Sequence, residues 1–131
     1  MTEIAGTWLV EGEIDGTVLK LDEPLSFWGG FDAIAGQVID QAHPQAGAVV
    51  TGRVVAIPGS RGSSGTPGVL GEALRRGTGP AGLIITKPDI NIVAGSLTAT
   101  TLYGTLCPVL LVDEATFAGL ADGEGVTAVA G

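Results

Sequence analysis

Short segments of consecutive apolar residues, separated by glycine-rich turns, recur along this chain and restrict its possible folds. Residues 82–86 (GLIIT) and 109–112 (VLLV) are each apolar at successive positions, as a strand buried on both faces of a parallel sheet is. Residues 48–57 (AVVTGRVVAI) form a longer, β-branched run that Pro58 ends. Between these runs, residues 69–76 (VLGEALRR) have apolar side chains at helical spacing. The alternation predicts a mixed α/β fold.

Antiparallel β-structure is predicted at the N-terminal end. Residues 7–12 and 16–21 alternate apolar and polar side chains around Asp15-Gly16, a pair typical of a hairpin turn. We expect a loop with buried aromatic residues at 24–36 and short strands at 37–40, 90–94 and 125–130. Residues 96–103 could form a helix or a strand, and Ser96 is a candidate cap if they form a helix. A short helix is expected at 114–120. The whole chain, 1–131, is expected to form one domain.

Composition excludes several classes of protein. Apolar residues make up 45% of the 131 residues and charged residues only 15%, which is unlike a disordered chain. Six basic residues against 14 acidic ones give a net charge of −8, so nucleic acid and anionic membrane surfaces would repel the chain. No apolar run approaches the ~20 residues of a membrane span, and the N-terminal residues carry acids where a signal peptide needs bases. We therefore expect a cytoplasmic protein.

The chain has few metal ligands. Cys107 is its single cysteine, which excludes an internal disulfide and an iron–sulfur cluster held by this chain alone. His43 is its single histidine, so a structural zinc site is not expected. Cys107 precedes Pro108 and a predicted buried strand, a position typical of a small core residue.

Positive charge is concentrated in one part of this acidic chain. Five of the six basic residues lie between positions 53 and 87, where Glu72 is the single acid, so this window carries +4. A local cationic field suits a small anion, such as a carboxylate or phosphate, better than a polyanion. Arg75 and Arg76 have a second explanation, because basic residues favour a helix C-terminus and Gly77 follows them.

The segment 57–68 (IPGSRGSSGTPG) is the best candidate for chemistry. It lies between a predicted strand and a predicted helix, where ligands collect in α/β folds. Its glycines allow close approach of the backbone, its free N–H groups can bind an anion, and Arg61 offers a planar donor for a carboxylate. It lacks the Gly-Lys-Ser/Thr ending of a phosphate-binding P-loop. The alternative is a surface connector without function.

A second candidate is the aromatic segment 27–32 (FWGGFD). Three large aromatic side chains within five residues usually belong to a core. The functional alternative is that the Gly29-Gly30 pair lets this segment pack beside the serine-containing loop or against a partner protein.

The residues that carry these features resemble the small subunit of the aconitase X family, the swivelling domain of an aconitase-superfamily dehydratase. The likeness covers nearly the whole chain. The matching stretches are 25–32 (LSFWGGFD) continuing through Gly36, Asp40, His43-Pro44 and Gly47, then 52–65 running into Val69-Leu70, and more weakly 81–85 and 107–109.

The resemblance implies an aconitase-like swivelling β/β/α domain. Such a domain caps a large catalytic subunit that carries an iron–sulfur cluster, with the active site between the two, and binds no cofactor itself. Arg61 is typical of members similar to cis-3-hydroxy-L-proline dehydratase, whereas members similar to phosphomevalonate dehydratase tend to have lysine there. The Gly65-Thr66-Pro67 stretch departs from relatives that have a further serine and glycine.

The same resemblance implies roles for individual residues in removing a proton next to a carboxylate and expelling a hydroxyl group. Ser63 would be the base, with its alkoxide stabilised by backbone N–H groups from Gly62 to Gly65 and by Arg61. Arg61 and Ser64 would bind the substrate carboxylate, and the hydroxyl group would leave toward the partner's cluster. The alternative is a non-catalytic, anion-binding or regulatory subunit.

Overall fold

A mixed β-sheet forms the centre of the molecule. The computed structural model describes residues 2–60 and 65–129. The strands within these ranges are β1 (Thr2–Glu3), β2 (Thr7–Val10), β3 (Glu13–Lys20), β4 (Phe31–Asp32), β5 (Gln37–Val38), β6 (Val54–Ile57), β7 (Gly82–Ile85), β8 (Val109–Leu111) and β9 (Gly125–Val129). The helices are α1 (Phe27–Gly30), α2 (Thr66–Arg76), α3 (Ile90–Tyr103) and α4 (Glu114–Gly119).

The sheet has a parallel centre and antiparallel flanks. In the described part of the chain its strand order is β1-β9-β3-β6-β7-β8-β2. Strands β3, β6, β7 and β8 run parallel to one another, whereas β9 is antiparallel to β3 and β2 is antiparallel to β8. The carboxyl ends of the four parallel strands therefore meet at one edge of the sheet.

The two central strands are apolar throughout because both faces of the sheet are covered. All four residues of β6 and all four of β7 are buried. Alternate side chains enter two different cores: Val55, Ile57, Leu83 and Ile85 pack on the side of α2 and α3, and Val54, Ala56 and Ile84 pack on the opposite side with Phe117 of α4. This arrangement confirms the prediction of buried parallel strands at 82–86 and 109–112.

Helices α2 and α3 pack closely on one face of the sheet. An added Cβ at Gly95 of α3 would lie 3.1 Å from Leu70 Cδ2 and 3.2 Å from Pro67 Cα of α2. Helix α2 ends at Gly77, which has the left-handed φ of +79° that favours glycine after a helix. The small residue and the sharp stop set the position of α2 relative to the sheet.

The predicted hairpin at 7–12 and 16–21 is wrong. β3 continues through Asp15 and Gly16, which pair with Thr127 and Val126 of β9, and β2 pairs with β8. Both pairings join residues far apart in sequence, so local turn chemistry does not decide the structure here.

Other predictions are corrected in their extent or type. Residues 90–94 are helical, as the start of α3, and Ser96 lies inside that helix instead of capping it. Tertiary packing outweighs the strand propensity of the β-branched residues there. The segment 24–36, predicted as a loop, contains α1 and β4. The strands predicted at 48–57 and 37–40 are shorter and correspond to β6 and β5. The helix predicted at 69–76 begins earlier, at Thr66.

The packing of α2 gives a test of the fold. Leu70 is fully buried in the core against α3, so Leu70→Ala should lower the free energy of unfolding by about 2–5 kcal/mol. Leu97→Ala on α3 is the matched control, because Leu97 is 48% exposed, and it should change that value by less than about 0.5 kcal/mol. Urea denaturation followed by circular dichroism measures both. Equal effects of the two changes would contradict the packing described.

Candidate active site

Three connections meet at the edge formed by the carboxyl ends of the parallel strands. The connection after β3 reaches the one after β6 through the Leu25 N–H, which donates to the Gly59 carbonyl at 3.2 Å, and through a parallel bridge between Leu25 and Ser60. The connection after β7 joins them through Thr86 Oγ1, which donates to the Pro58 carbonyl at 3.3 Å. The start of the predicted serine-containing loop is thus held from both sides.

Gly59 sets the direction in which the chain leaves β6. Its φ is +143°, a conformation that residues with a Cβ rarely adopt. The turn at Gly59 brings Ser60 next to Asp89, the residue that precedes α3. A side chain at position 59 would strain this turn whatever the space around it.

Asp89 binds the loop and a helix with its two separate oxygens. Oδ2 accepts hydrogen bonds from the Ser60 N–H at 2.8 Å and from Ser60 Oγ at 2.6 Å. Oδ1 accepts from the N–H groups of Asn91 and Ile92, both at 3.1 Å, in the first turn of α3. The carboxylate therefore joins the beginning of the loop to the beginning of α3.

The far end of the loop enters helix α2. Gly65 is the N-cap residue, and Thr66 is the first residue of the helix. Thr66 is fully buried, and its Oγ1 has no hydrogen-bond partner within the part of the chain that the structure describes. A helix N-terminus with exposed N–H groups attracts anions, and α2 has no acidic residue in its first turn.

The residues predicted to perform the chemistry fall mostly between these two ends. Arg61, Gly62, Ser63 and Ser64 lie outside the described residues. Gly65 is described, as the N-cap of α2. The segment does join the carboxyl end of a strand to the start of a helix, as predicted.

Not all of the basic residues between positions 53 and 87 lie at the edge formed by the carboxyl ends of the parallel strands. Arg75 and Arg76 lie in the last turn of α2 and bind Glu72, about 15 Å from the start of that helix by its length. Hydrogen bonds from Arg75 lower the pKa of the Glu72 carboxyl. Their explanation as C-terminal helix residues is confirmed.

Two other basic residues of the window differ in their surroundings. Arg53 donates to the Val18 carbonyl at 2.8 Å and so supports the sheet. Lys87 is exposed in the turn after β7, two residues before Asp89. Of the basic residues between positions 53 and 87, Lys87 is therefore the one that the described structure places at this edge of the sheet. The predicted cationic field includes fewer residues than the sequence suggested.

The aromatic segment belongs largely to the core. Phe27 and Phe31 are buried, and their rings meet edge to face with centroids 5.5 Å apart. They border an open apolar groove whose rim includes Val69 of α2 and two exposed side chains, Ile34 at 70% and Ile39 at 43%. The surface beside the first turn of α2 is thus mostly apolar, with Asp32 also in its lining, although the phenylalanines themselves face inward.

The residues of this chain do not fit an iron–sulfur cluster. Burial raises the pKa of the Cys107 thiol to about 12, so the thiolate that would bind iron is strongly disfavoured. Among residues 2–60 and 65–129 there is no group of three or more His, Cys, Asp or Glu side chains that could hold a metal ion. Within the same ranges, no helix has the length and apolar character needed to span a membrane.

His43 has a structural role in the connection that follows β5. Its Nδ1 accepts from the Gln45 N–H at 3.0 Å, and its Nε2 lies 3.1 Å from the Glu23 carbonyl. Since Nδ1 accepts, Nε2 carries the proton and donates to Glu23. The ring is buried and both nitrogens are used, so His43 is not positioned as a base.

Ser60 and Thr66 belong to the predicted segment 57–68, whereas the sequence did not single out Asp89 as a residue of this edge. Asp89 had a readable signal, because an aspartate after Pro88 and before an apolar run is typical of a helix N-cap. Interpreting 90–94 as a strand concealed it. The bonds between Ser60 and Asp89 and the burial of Thr66 depend on contacts distant in sequence, which no local pattern shows.

Comparison with known protein families and sequences gives a consistent result. A family model described as the aconitase X swivel domain matches residues 3–130. A cis-3-hydroxy-L-proline dehydratase of Pseudomonas aeruginosa is 39% identical over 106 residues, which are 81% of this chain and 18% of that protein. A phosphomevalonate dehydratase small subunit of Methanopyrus kandleri is 41% identical over 86 residues, which are 66% of this chain and 64% of that subunit. The chain thus spans less than a fifth of the first relative.

Solved structures show the same fold. Aconitase X of Thermococcus kodakaraensis, in its holo form, superposes with a TM-score of 0.83 at 23% identity, covering 93% of this chain and 87% of that one. A UPF0107 protein solved by solution NMR gives a TM-score of 0.81 at 29% identity, covering 95% and 89%. The predicted α/β swivelling-domain architecture is confirmed.

The burial of Cys107 predicts a thiol that does not react. With its pKa raised to about 12, the thiol stays protonated below that pH, and only the thiolate is a good nucleophile. Native protein should therefore take up almost no iodoacetamide at pH 8, whereas protein unfolded in guanidinium should be alkylated completely. Mass spectrometry counts the adducts. Rapid labelling of the native protein would contradict the buried position.

Proposed function

The chain belongs to the aconitase X swivel domain family, and on this premise we propose that it forms the small-subunit part of a dehydratase acting on a small hydroxylated carboxylate. The observation that carries the proposal is the placement of the two ends of the segment: Gly59 and Ser60 are held by neighbouring connections, and Gly65 begins α2. We propose that the residues between these ends present serines, an arginine and backbone N–H groups at the edge where α/β proteins bind ligands.

Ser63 is the proposed base. A serine hydroxyl has too high a pKa to remove a proton at neutral pH unless its alkoxide is stabilised. Arg61 and the N–H groups from Gly62 to Gly65 are proposed to supply that stabilisation, together with the positive end of the α2 dipole.

The proposed reaction removes the elements of water. The C–H bond next to the carboxylate breaks and its proton passes to Ser63 Oγ. The electron pair left behind forms a carbon–carbon double bond, and the neighbouring C–O bond breaks, so that hydroxide leaves with its electron pair. The proton taken up by Ser63 Oγ is returned through solvent to this hydroxide, which gives water and restores the alkoxide. Arg61 and Ser64 are proposed to hold the substrate carboxylate during this change, since a guanidinium group binds a carboxylate with two parallel hydrogen bonds.

A large partner subunit, or a large partner region of the same protein, is proposed to complete the site. The relatives named as small subunits imply such a partner for themselves. In this chain the described donor set does not fit a cluster, so the iron–sulfur group expected from the family is proposed to belong to the partner. The rim at Ile34 and Ile39 adjoins α2 and is mostly apolar, with Asp32 as its charged residue, and surface poor in charge is typical of the centre of a stable interface.

Cis-3-hydroxy-L-proline is the proposed substrate. Arg61, which the family resemblance associates with hydroxyproline dehydratases, supports it. Phosphomevalonate is the second candidate, because the phosphomevalonate dehydratase small subunits of two archaea are 41% and 40% identical to this chain. The complete complex should be assayed with both compounds. Turnover of hydroxyproline supports the first, turnover of phosphomevalonate supports the second, and turnover of neither would leave the non-catalytic, anion-binding alternative.

Removing the proposed base gives a direct test of the mechanism. Ser63→Ala should lower kcat of the complex by at least ~10²-fold, the low end for loss of a general base. Because a loop hydroxyl contributes little to the core, the melting temperature and the affinity for the partner should not change. Steady-state kinetics with the accepted substrate measures the effect. Near-normal turnover would exclude Ser63 as the base.

The neighbouring residues give the matched comparisons. Ser64→Ala removes the same group one position later and should have the milder effect on kcat. Arg61→Lys keeps the charge but loses the planar pair of donors, so it should mainly raise KM. If Ser64→Ala abolishes turnover while Ser63→Ala does not, the roles of the two serines are exchanged.

A further inference from the structure

We propose that Asp89 is a positioning residue for the catalytic segment, a role that rests on the proposed function of residues 61–64. It would act through Ser60, the residue directly before Arg61. Asp89 itself lies on a different connection, after β7, and the family resemblance and the comparisons do not assign it a role.

The geometry of the carboxylate supports this role. Both bonds to Ser60 are short for their type, 2.8 Å from the backbone N–H and 2.6 Å from the hydroxyl, as is usual when the acceptor is charged. One bond fixes the backbone of Ser60 and the other fixes its side chain. Ser60 itself therefore has little freedom to rotate.

Helix α3 holds the carboxylate in turn. Its first N–H groups, from Asn91 and Ile92, bind Oδ1, and the positive end of the helix dipole favours the negative charge. α3 is itself packed against α2 through Gly95 and Leu70, and α2 is the helix that the catalytic segment enters. Asp89 thus fixes the beginning of the segment to the same pair of helices that fixes its end.

On the side of the connection after β3, the described hydrogen bond to the loop start joins two backbone groups, the Leu25 N–H and the Gly59 carbonyl. Among the contacts described at Ser60, the bonds to Asp89 are the ones that a side-chain substitution can remove. Because misplacing a catalytic group by about 1 Å can cost ~10²-fold in rate, loss of these bonds should be visible in catalysis without loss of the fold.

One substitution and its control distinguish the bonds of Asp89 to Ser60 from its capping of α3. Asp89→Ser keeps an oxygen that can cap α3, since serine is among the preferred N-cap residues, but its short side chain does not reach Ser60. Asp113→Ser is the matched control. Asp113 caps α4 by accepting from the Thr116 N–H at 2.7 Å, and it makes no described bond to the loop, so the same chemical change occurs there without an effect on Ser60.

The experiment measures steady-state kinetics and thermal unfolding of the complete complex. Asp89→Ser should lower kcat/KM at least ~10-fold while the melting temperature stays within about 3 °C, and Asp113→Ser should keep kcat/KM within about twofold. Adding Ser60→Ala to Asp89→Ser should cause no further loss, because the two residues act through the same bonds. Unchanged kcat/KM in Asp89→Ser, or an equal loss in Asp113→Ser, would overturn the proposal.

Two further measurements keep the proposal testable. If Asp89→Ser does not fold, the variant Ser60→Ala tests the proposal by itself, because it leaves the N-cap of α3 intact. A loss of about threefold or more in kcat/KM supports the proposal, and an unchanged value overturns it.

If the wild-type complex dehydrates nothing, the proposed function fails. The NMR resonance of the Ser60 amide proton, in the isotopically labelled full chain, then still tests the hydrogen bond to Asp89. This resonance should move upfield in Asp89→Ser, and an unchanged resonance would overturn the anchoring.

Discussion

The parallel alignment of β3, β6, β7 and β8 is the constraint on which the rest of the molecule depends. It brings three separate connections to one edge of the sheet, where Leu25 bonds to Gly59, Thr86 to Pro58 and Asp89 to Ser60. The alignment is stable because both faces of the central strands are covered, by α2 and α3 on one side and by α4 on the other. Without either cover, the apolar residues of β6 and β7 would face water.

The charged side chains beside the loop and those at the far end of α2 have different partners. The chain carries −8 overall, and the Asp89 carboxylate beside the start of the loop accepts four hydrogen bonds, two from Ser60 and two from the first turn of α3. The guanidinium groups of Arg75 and Arg76 are turned to Glu72 at the far end of α2. The N-terminus of α2, which has no acidic residue in its first turn, lies at the opposite end of the helix from these arginines and is the end that favours an anion.

The sequence predicted the parts of the fold that depend on local pattern. Strands 82–86 and 109–112, the helix around 69–76 and the strand-to-helix position of the glycine- and serine-rich segment were all readable, because burial on both faces and helical spacing leave a periodic signal. The hairpin around Asp15-Gly16 was wrong since β3 pairs with β9 more than 100 residues later. Asp89 was missed because the β-branched residues after it favoured a strand, and only packing against α2 makes them helical.

The central claim is that this chain supplies half of an active site whose other half lies on a large partner. The most direct measurement is dehydratase turnover by the large subunit alone, by this chain alone and by the two combined, as this chain is titrated in. The account predicts no turnover by either component alone and a rise to a plateau as this chain saturates its partner. Full turnover by the large subunit without this chain would contradict it.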